Sequence, residues 1–182
     1  TVGEDDNFES VLETAIALEA PLIRVWPGRR PSAECDEDYF NRVVEDTQRI
    51  AGMARRERIG IAFEKHGGSL TDSLASTKKL LAACGKNAAM CYWQPEVHAG
   101  FEENMECLRS LLSELAYLHV FKWLPDERLS LEEGMQEWRI YLQTARQAVG
   151  QRYALLEFVK DDDREQFLRD AKTLNRLLEE QE

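Results

Sequence analysis

The feature that most constrains this 182-residue chain is a period. Short apolar runs rich in β-branched and aromatic residues recur roughly every 30 to 37 residues, each followed by one stretch with helical spacing. The runs are Leu22-Ile-Arg-Val-Trp26, Ile59-Gly-Ile-Ala-Phe-Glu64, Ala89-Met-Cys-Tyr-Trp-Gln94, Tyr117-Leu-His-Val-Phe-Lys-Trp123 and Tyr153-Ala-Leu-Leu-Glu-Phe-Val159. Pro27-Gly28, Pro95 and Pro125 close the first, third and fourth. A strand-then-helix repeat forces parallel pairing with right-handed crossovers, so the class is α/β. Five such units are too few for a closed eight-stranded barrel of the usual ~250 residues. The remaining choices are a small doubly wound sheet or the last five units of a barrel. A leading helix at Asn7 to Leu18 with no strand before it favours the second, and residues 1–182 read as one domain.

Between the strands, Asp36 to Arg56 predicts a long helix with Tyr39, Phe40, Val43, Val44, Thr47, Ile50 and Met53 on one face. Ser69-Leu-Thr-Asp72 predicts the capped start of a helix running to about Ala83. Phe101, Met105, Leu108, Leu111, Leu112 and Leu115 predict another helix that buries a core face. Ser130 with Glu133 is a capping box before Met135, Trp138, Tyr141, Leu142, Ala145 and Val149. A last helix runs along Phe167, Leu168, Ala171, Leu174, Leu177 and Leu178, with Asp161 to Asp163 at its positive end.

With 43% hydrophobic residues the chain can bury a core, and a net charge of −11 argues against a general nucleic-acid binder. Cys35, Cys84, Cys91 and Cys107 form no CxxC pair, so reduced thiols in the cytoplasm are the plain reading. No apolar run reaches membrane-spanning length, and no membrane partner is expected.

Each strand carries a polar group late in its run: Arg24, Glu64, Gln94, His119 and Glu157. Ligands bind at the carboxyl ends of parallel strands, and an acid buried there is costly without a cationic or metal partner. On the Glu64 strand, Ile59, Ile61 and Phe63 share a bulky face, while Gly60, Ala62 and Glu64 share a nearly bare one. Glu157 alternates with Leu155, leaving Leu156 and Phe158 to face helices. Two Glu, one His and a neutral oxygen suit a divalent ion such as Mn, Mg, Co or Zn. Two carboxylates flanking a hydroxy-carbonyl also suit proton removal and return beside that carbonyl through an enediolate.

The segments Pro21-Leu-Ile-Arg-Val-Trp-Pro-Gly28, Phe63-Glu-Lys-His-Gly-Gly-Ser-Leu-Thr-Asp72, Tyr92-Trp-Gln-Pro95, Leu118-His-Val-Phe-Lys-Trp123 and Leu155-Leu-Glu-Phe-Val159 together resemble the xylose isomerase-like superfamily, and within it the sugar phosphate isomerase/epimerase branch. The resemblance implies a partial TIM barrel of strands four to eight, lacking the first three. It implies a metal held by Glu64, a sixth-strand residue, His119 and Glu157, with Glu64 and Glu157 as the proton-transfer pair. The branch usually has Asp on the sixth strand and a His soon after. Here Gln94, or His98 in its stead, takes that place.

Substrate contacts are expected from Arg24, His66, Trp93, Lys122 and Trp123, and a sugar or sugar phosphate is the expected ligand. Trp26, Trp93 and Trp123 could wall its pocket. Plainer alternatives stand beside these. Glu64 could simply pair with Arg24 or Lys65, and Lys122 could face the helices. His66-Gly67-Gly68 could be a tight turn rather than a phosphate- or hydroxyl-binding one at the helix opening. Two other functions remain open: an apurinic-site endonuclease, and a degenerate barrel kept as a binding module. Exposed first and last strands predict self-association as a homo-oligomer.

Overall fold

The computed structural model describes residues 7–180 and bears out the parallel α/β class. Its elements are α1 (Phe8–Ala17), β1 (Leu22–Val25), α2 (Glu37–Arg56), β2 (Gly60–Glu64), α3 (Leu74–Cys84), β3 (Met90–Trp93) and α4 (Phe101–Ser110). They continue as β4 (Leu115–Val120), β5 (Lys122–Leu124), β6 (Glu127–Leu129), α5 (Met135–Ala145), β7 (Ala154–Leu156) and α6 (Arg164–Glu179). The parallel strands take the order β1-β2-β3-β4-β7, and β5 with β6 forms a separate two-stranded ribbon. The chain divides into two compact units, one ending at Tyr92 and the other starting at Trp93.

In the first unit β1 pairs with β2 from Leu22↔Gly60 to Val25↔Phe63, and β2 pairs with β3 up to Glu64↔Tyr92. Ile61, Ala62, Phe63 and Glu64 are all buried, so β2 is covered on both faces. A Cβ at Gly60 would lie 2.8 Å from Leu22 Cδ1, the tip of a side chain on β1. Asn7 and Asp36 cap α1 and α2 by accepting from the Ser10 and Tyr39 amides. Helix α2 carries Glu37 and Asp38 in its first turn and Arg55 and Arg56 in its last, matching the helix dipole. Its buried stripe is Tyr39, Val43, Thr47, Ile50, Ala51 and Ala54.

The cap of α3 is Ser73, which accepts from Ser76 N, and not Ser69. Ser69 and Thr71 are buried and spend their hydroxyls on the turn: Ser69 donates to the His66 carbonyl and Thr71 to the Glu64 carbonyl. His66-Gly67-Gly68 therefore lies well before the helix opening, with Gly68 in the left-handed region at φ 80°.

In the second unit β4 and β7 pair from Leu118↔Ala154 to Val120↔Leu156. Helix α4 stops at Ser110; Leu111 is its C-cap and Leu115 opens β4, so the expected helical face to Leu115 is too long. The fourth run does not continue to Trp123 as one strand. It breaks at Phe121, whose carbonyl accepts from buried Trp138 Nε1 at 2.7 Å. Beyond it Lys122–Leu124 turns through Pro125 and Asp126 to pair antiparallel with Glu127–Leu129. Pro125 directly follows the end of β5, as expected, and sits in the hairpin turn, a position proline favours.

The Ser130–Glu133 capping box is present and opens a 3₁₀ turn that runs into α5. Helix α5 ends at Ala145, leaving Val149 91% exposed rather than in its core face. Strand β7 is shorter than the apolar run, and Phe158 is 57% exposed rather than under helices. Asp163 caps α6 by accepting from Gln166 N. Its buried face is Gln166, Asp170, Thr173, Leu174 and Leu177, while Phe167, Leu168 and Leu178 lie partly in solvent. Buried Asp170 decides this rotation: it accepts from the Leu131 amide at 2.9 Å and from Gln166 Nε2 at 2.7 Å. Among the described residues no helix is long and apolar enough to cross a membrane.

Candidate functional site

Within the first unit, the end of β2 and the end of β1 meet at one carboxylate. Glu64 is 3% exposed, and its Oε2 contacts both the Arg24 guanidinium and Trp26 Nε1–H. A buried carboxylate needs such partners, because desolvating it alone costs several kcal/mol (about 5 or more). Arg24 supplies the counter-charge while its own side chain remains 43% exposed. The Arg24 alternative in the sequence is thus realised, and Lys65 is buried as well. Trp26 stacks on His66 with ring centroids 4.4 Å apart and planes 25° apart, and the Arg24 guanidinium lies 5.9 Å from the Trp26 centroid. Arg24, Trp26, Glu64 and His66 therefore form one cluster at the carboxyl ends of adjacent strands. The Thr71 hydroxyl on the Glu64 carbonyl ties the following turn to this point.

In the second unit a second cluster gathers around His119, which is 7% exposed near the end of β4. Its Nδ1 lies 2.9 Å from Gln94 Oε1 and 3.4 Å from Glu157 Oε2. The Glu157 amide donates to the Val120 carbonyl at 3.1 Å, extending the β4–β7 register by one residue. Two oxygen acceptors thus converge on one ring nitrogen. A protonated Nδ1 can donate to one of them; a deprotonated Nδ1 adds a third lone pair to the same small space. Three facing donor atoms of this hardness suit a divalent cation, and the residues present fit one.

The other named residues lie apart from that cluster. Lys122 pairs with Glu137 of α5 at 2.7 Å, so it faces the helix. Trp123 stacks on Phe121 at 4.0 Å and donates from Nε1 to the Phe158 carbonyl at 3.1 Å. Trp93 is fully buried against Trp138 and Tyr141, with centroids 6.2 and 5.0 Å apart, and its Nε1 has no hydrogen-bond partner among the described residues. His98 is exposed in the turn after β3. Near Lys122, Phe101, Phe121, Trp123, Trp138 and Tyr141 wall a cavity of about 130 Å³. Burial pushes the Tyr141 phenol well above its ordinary value, with the Glu137 charge adding to the effect. Sequence reasoning missed the Trp26–Glu64 bond and the Arg128 contacts of the hairpin. An indole at a strand end was the available signal for the first, and the second had none.

No family model matches the chain, and no curated protein matches it significantly. Solved structures do. A xylose isomerase-like TIM barrel protein from Mycobacterium smegmatis, in complex with magnesium, superposes with a TM-score of 0.75 at 13% identity, covering 100% of this chain and 71% of that one. The probable 3-DHS dehydratase AsbF of Bacillus anthracis gives 0.74 at 17% identity, covering 96% and 72%. D-psicose 3-epimerase with D-tagatose, from Clostridium cellulolyticum H10, gives 0.66 at 14% identity, covering 100% and 75%. At such identities the likeness establishes the fold alone: five parallel βα units of the TIM-barrel type.

Proposed function

We propose that this chain, on a xylose isomerase-like barrel fold, is a metal-dependent isomerase or epimerase of a sugar or sugar phosphate. The observation that carries the reading is the convergence of Gln94 Oε1 and Glu157 Oε2 on His119 Nδ1. The second support is the buried Glu64 carboxylate at another strand end. In this reading Gln94, His119 and Glu157 hold one divalent ion. Bound there, the ion would supply the positive charge that polarises a substrate's carbonyl and hydroxyl oxygens. The magnesium in the Mycobacterium smegmatis protein supports a hard cation, and the mixed N/O set suits manganese, cobalt or zinc as well.

The chain's own residues do the rest. Glu64 and Glu157 are the proton-transfer pair, moving a proton off and onto the carbon beside the carbonyl. Arg24 and Trp26 hold the Glu64 carboxylate by one oxygen and fix its direction. His119 holds Glu157 and Gln94 to a common point. Trp26, with 39% of its surface exposed, offers a ring face of the kind that packs against a sugar, and His66 stacks behind it. Four cysteines that form no disulfide support a cytoplasmic setting.

The test is solvent-proton exchange. Wild-type chain with manganese should exchange a C–H proton of a ketose, or of a ketose phosphate, with deuterated water. Glu157→Gln should lower that exchange by at least a hundredfold. Equal exchange in the variant would refute the assignment. Absence of bound metal in both, by elemental analysis after soaking in manganese, would leave the binding-module reading standing instead.

A further inference from the structure

We propose that the cross-strand pair Trp123–Arg128 of the β5–β6 hairpin is a positioning device that holds Glu157 in place; this rests on the functional reading of Glu157 above. The residue after Glu157, Phe158, has φ 43°, a left-handed conformation that an aromatic L-residue adopts at a cost. Asp161 and Asp162 follow at φ 58° and 50°, so the backbone is strained at three points within five residues of Glu157. Burial does not offset this at Phe158, which is 57% exposed.

The hairpin does. Trp123 Nε1 donates to the Phe158 carbonyl at 3.1 Å, and the Trp123 and Phe158 rings lie 5.9 Å apart. The Arg128 guanidinium lies 5.4 Å from the Trp123 centroid and 5.0 Å from that of Phe158, and it pairs with Asp162 at 2.7 Å. Trp123 and Arg128 are direct partners in the hairpin register, so one rigid pair grips both ends of the strained turn. Trp123 is itself stacked on Phe121, whose carbonyl is tied to Trp138, which roots the grip in the core. Released, Phe158 would relax to negative φ, and the backbone rotation would swing the Glu157 carboxylate off its 3.4 Å approach to His119 Nδ1. The strain is local and the grip remote in sequence, which is the pattern of a preorganised side chain.

The experiment compares wild type, Trp123→Phe and the double variant Trp123→Phe/Phe158→Asn. Phenylalanine keeps the stacked ring and removes the N–H donor, while asparagine takes the left-handed conformation readily. The readouts are amide hydrogen exchange of the metal-free chain over residues 157–162 and manganese affinity by calorimetry. In Trp123→Phe, exchange over 157–162 should rise about tenfold, and affinity should fall about tenfold to a hundredfold, the range for lost support of a metal ligand. The double variant should recover most of the affinity. Unchanged exchange in Trp123→Phe, or an affinity loss that Phe158→Asn does not rescue, would overturn the positioning role. If the wild type binds no manganese, the metal reading fails by itself, and the exchange comparison still decides whether Trp123 holds this turn.

Discussion

Replacing Thr71 by valine removes the hydroxyl that fixes the end of β2 and that also lies 2.9 Å from Ser69 Oγ. Valine keeps the β-branched shape and volume, so neither a cavity nor a rotamer clash is introduced. What disappears is the hydroxyl of a fully buried side chain that donates to the Glu64 carbonyl. Depriving a buried carbonyl of its donor costs about 1–3 kcal/mol. The His66 amide, 3.4 Å from Thr71 Oγ1, adds little at that length. The expected loss is therefore about 2 kcal/mol, or roughly 4–8 °C in Tm at this chain length. Urea unfolding at pH 7 measures it, with Thr71→Ser as the control that keeps the hydroxyl and loses only a buried methyl, at about 1 kcal/mol. Because the bond is to the backbone of Glu64 itself, manganese affinity should fall together with stability. A Thr71→Val chain within about 0.5 kcal/mol of wild type, the range of inert surface changes, would refute the reasoning.

Two buried indoles give a contrast. Trp138 Nε1 is bonded to the Phe121 carbonyl and Trp93 Nε1 has no partner, so Trp138→Phe should cost at least about 1 kcal/mol more than Trp93→Phe in the same unfolding assay. Equal costs would contradict this account. The thiols differ by environment. Burial pushes the Cys84 thiol up to about 11, so its protonated form stabilises the fold below pH 9, and that contribution is lost as pH rises from about 9 to 11. Cys84→Ala should flatten the alkaline fall of the urea midpoint over that window. Cys35, half-buried, should react first with a thiol reagent at pH 8, read by mass spectrometry, and the buried Cys84, Cys91 and Cys107 after it.

Much of the fold is legible in the sequence because it is encoded locally. The strand–helix period fixes parallel pairing, and Asn7, Asp36 and the Ser130–Glu133 box mark helix starts through bonds within four residues. The placing of Arg24, Glu64, Gln94 and His119 at or beside strand ends follows from counting along each run. Tertiary structure decided what depends on distant partners. Leu115 left the helical pattern for β4, because its side chain is fully buried there. The run through Trp123 broke at Phe121 once Trp138, seventeen residues on, took its carbonyl. Ser69 gave up the cap to Ser73 when its hydroxyl was drawn to His66. Trp26 and Trp93 look alike in sequence, yet one lies at the Glu64 carboxylate and the other in the core. Phe158, apolar and in phase, lies 57% exposed, with its carbonyl bonded to Trp123 Nε1 and its ring beside Arg128. Period and capping are short-range and written in the residues themselves. Which side chain satisfies a buried carbonyl or carboxylate is settled only when the chain brings the candidates together.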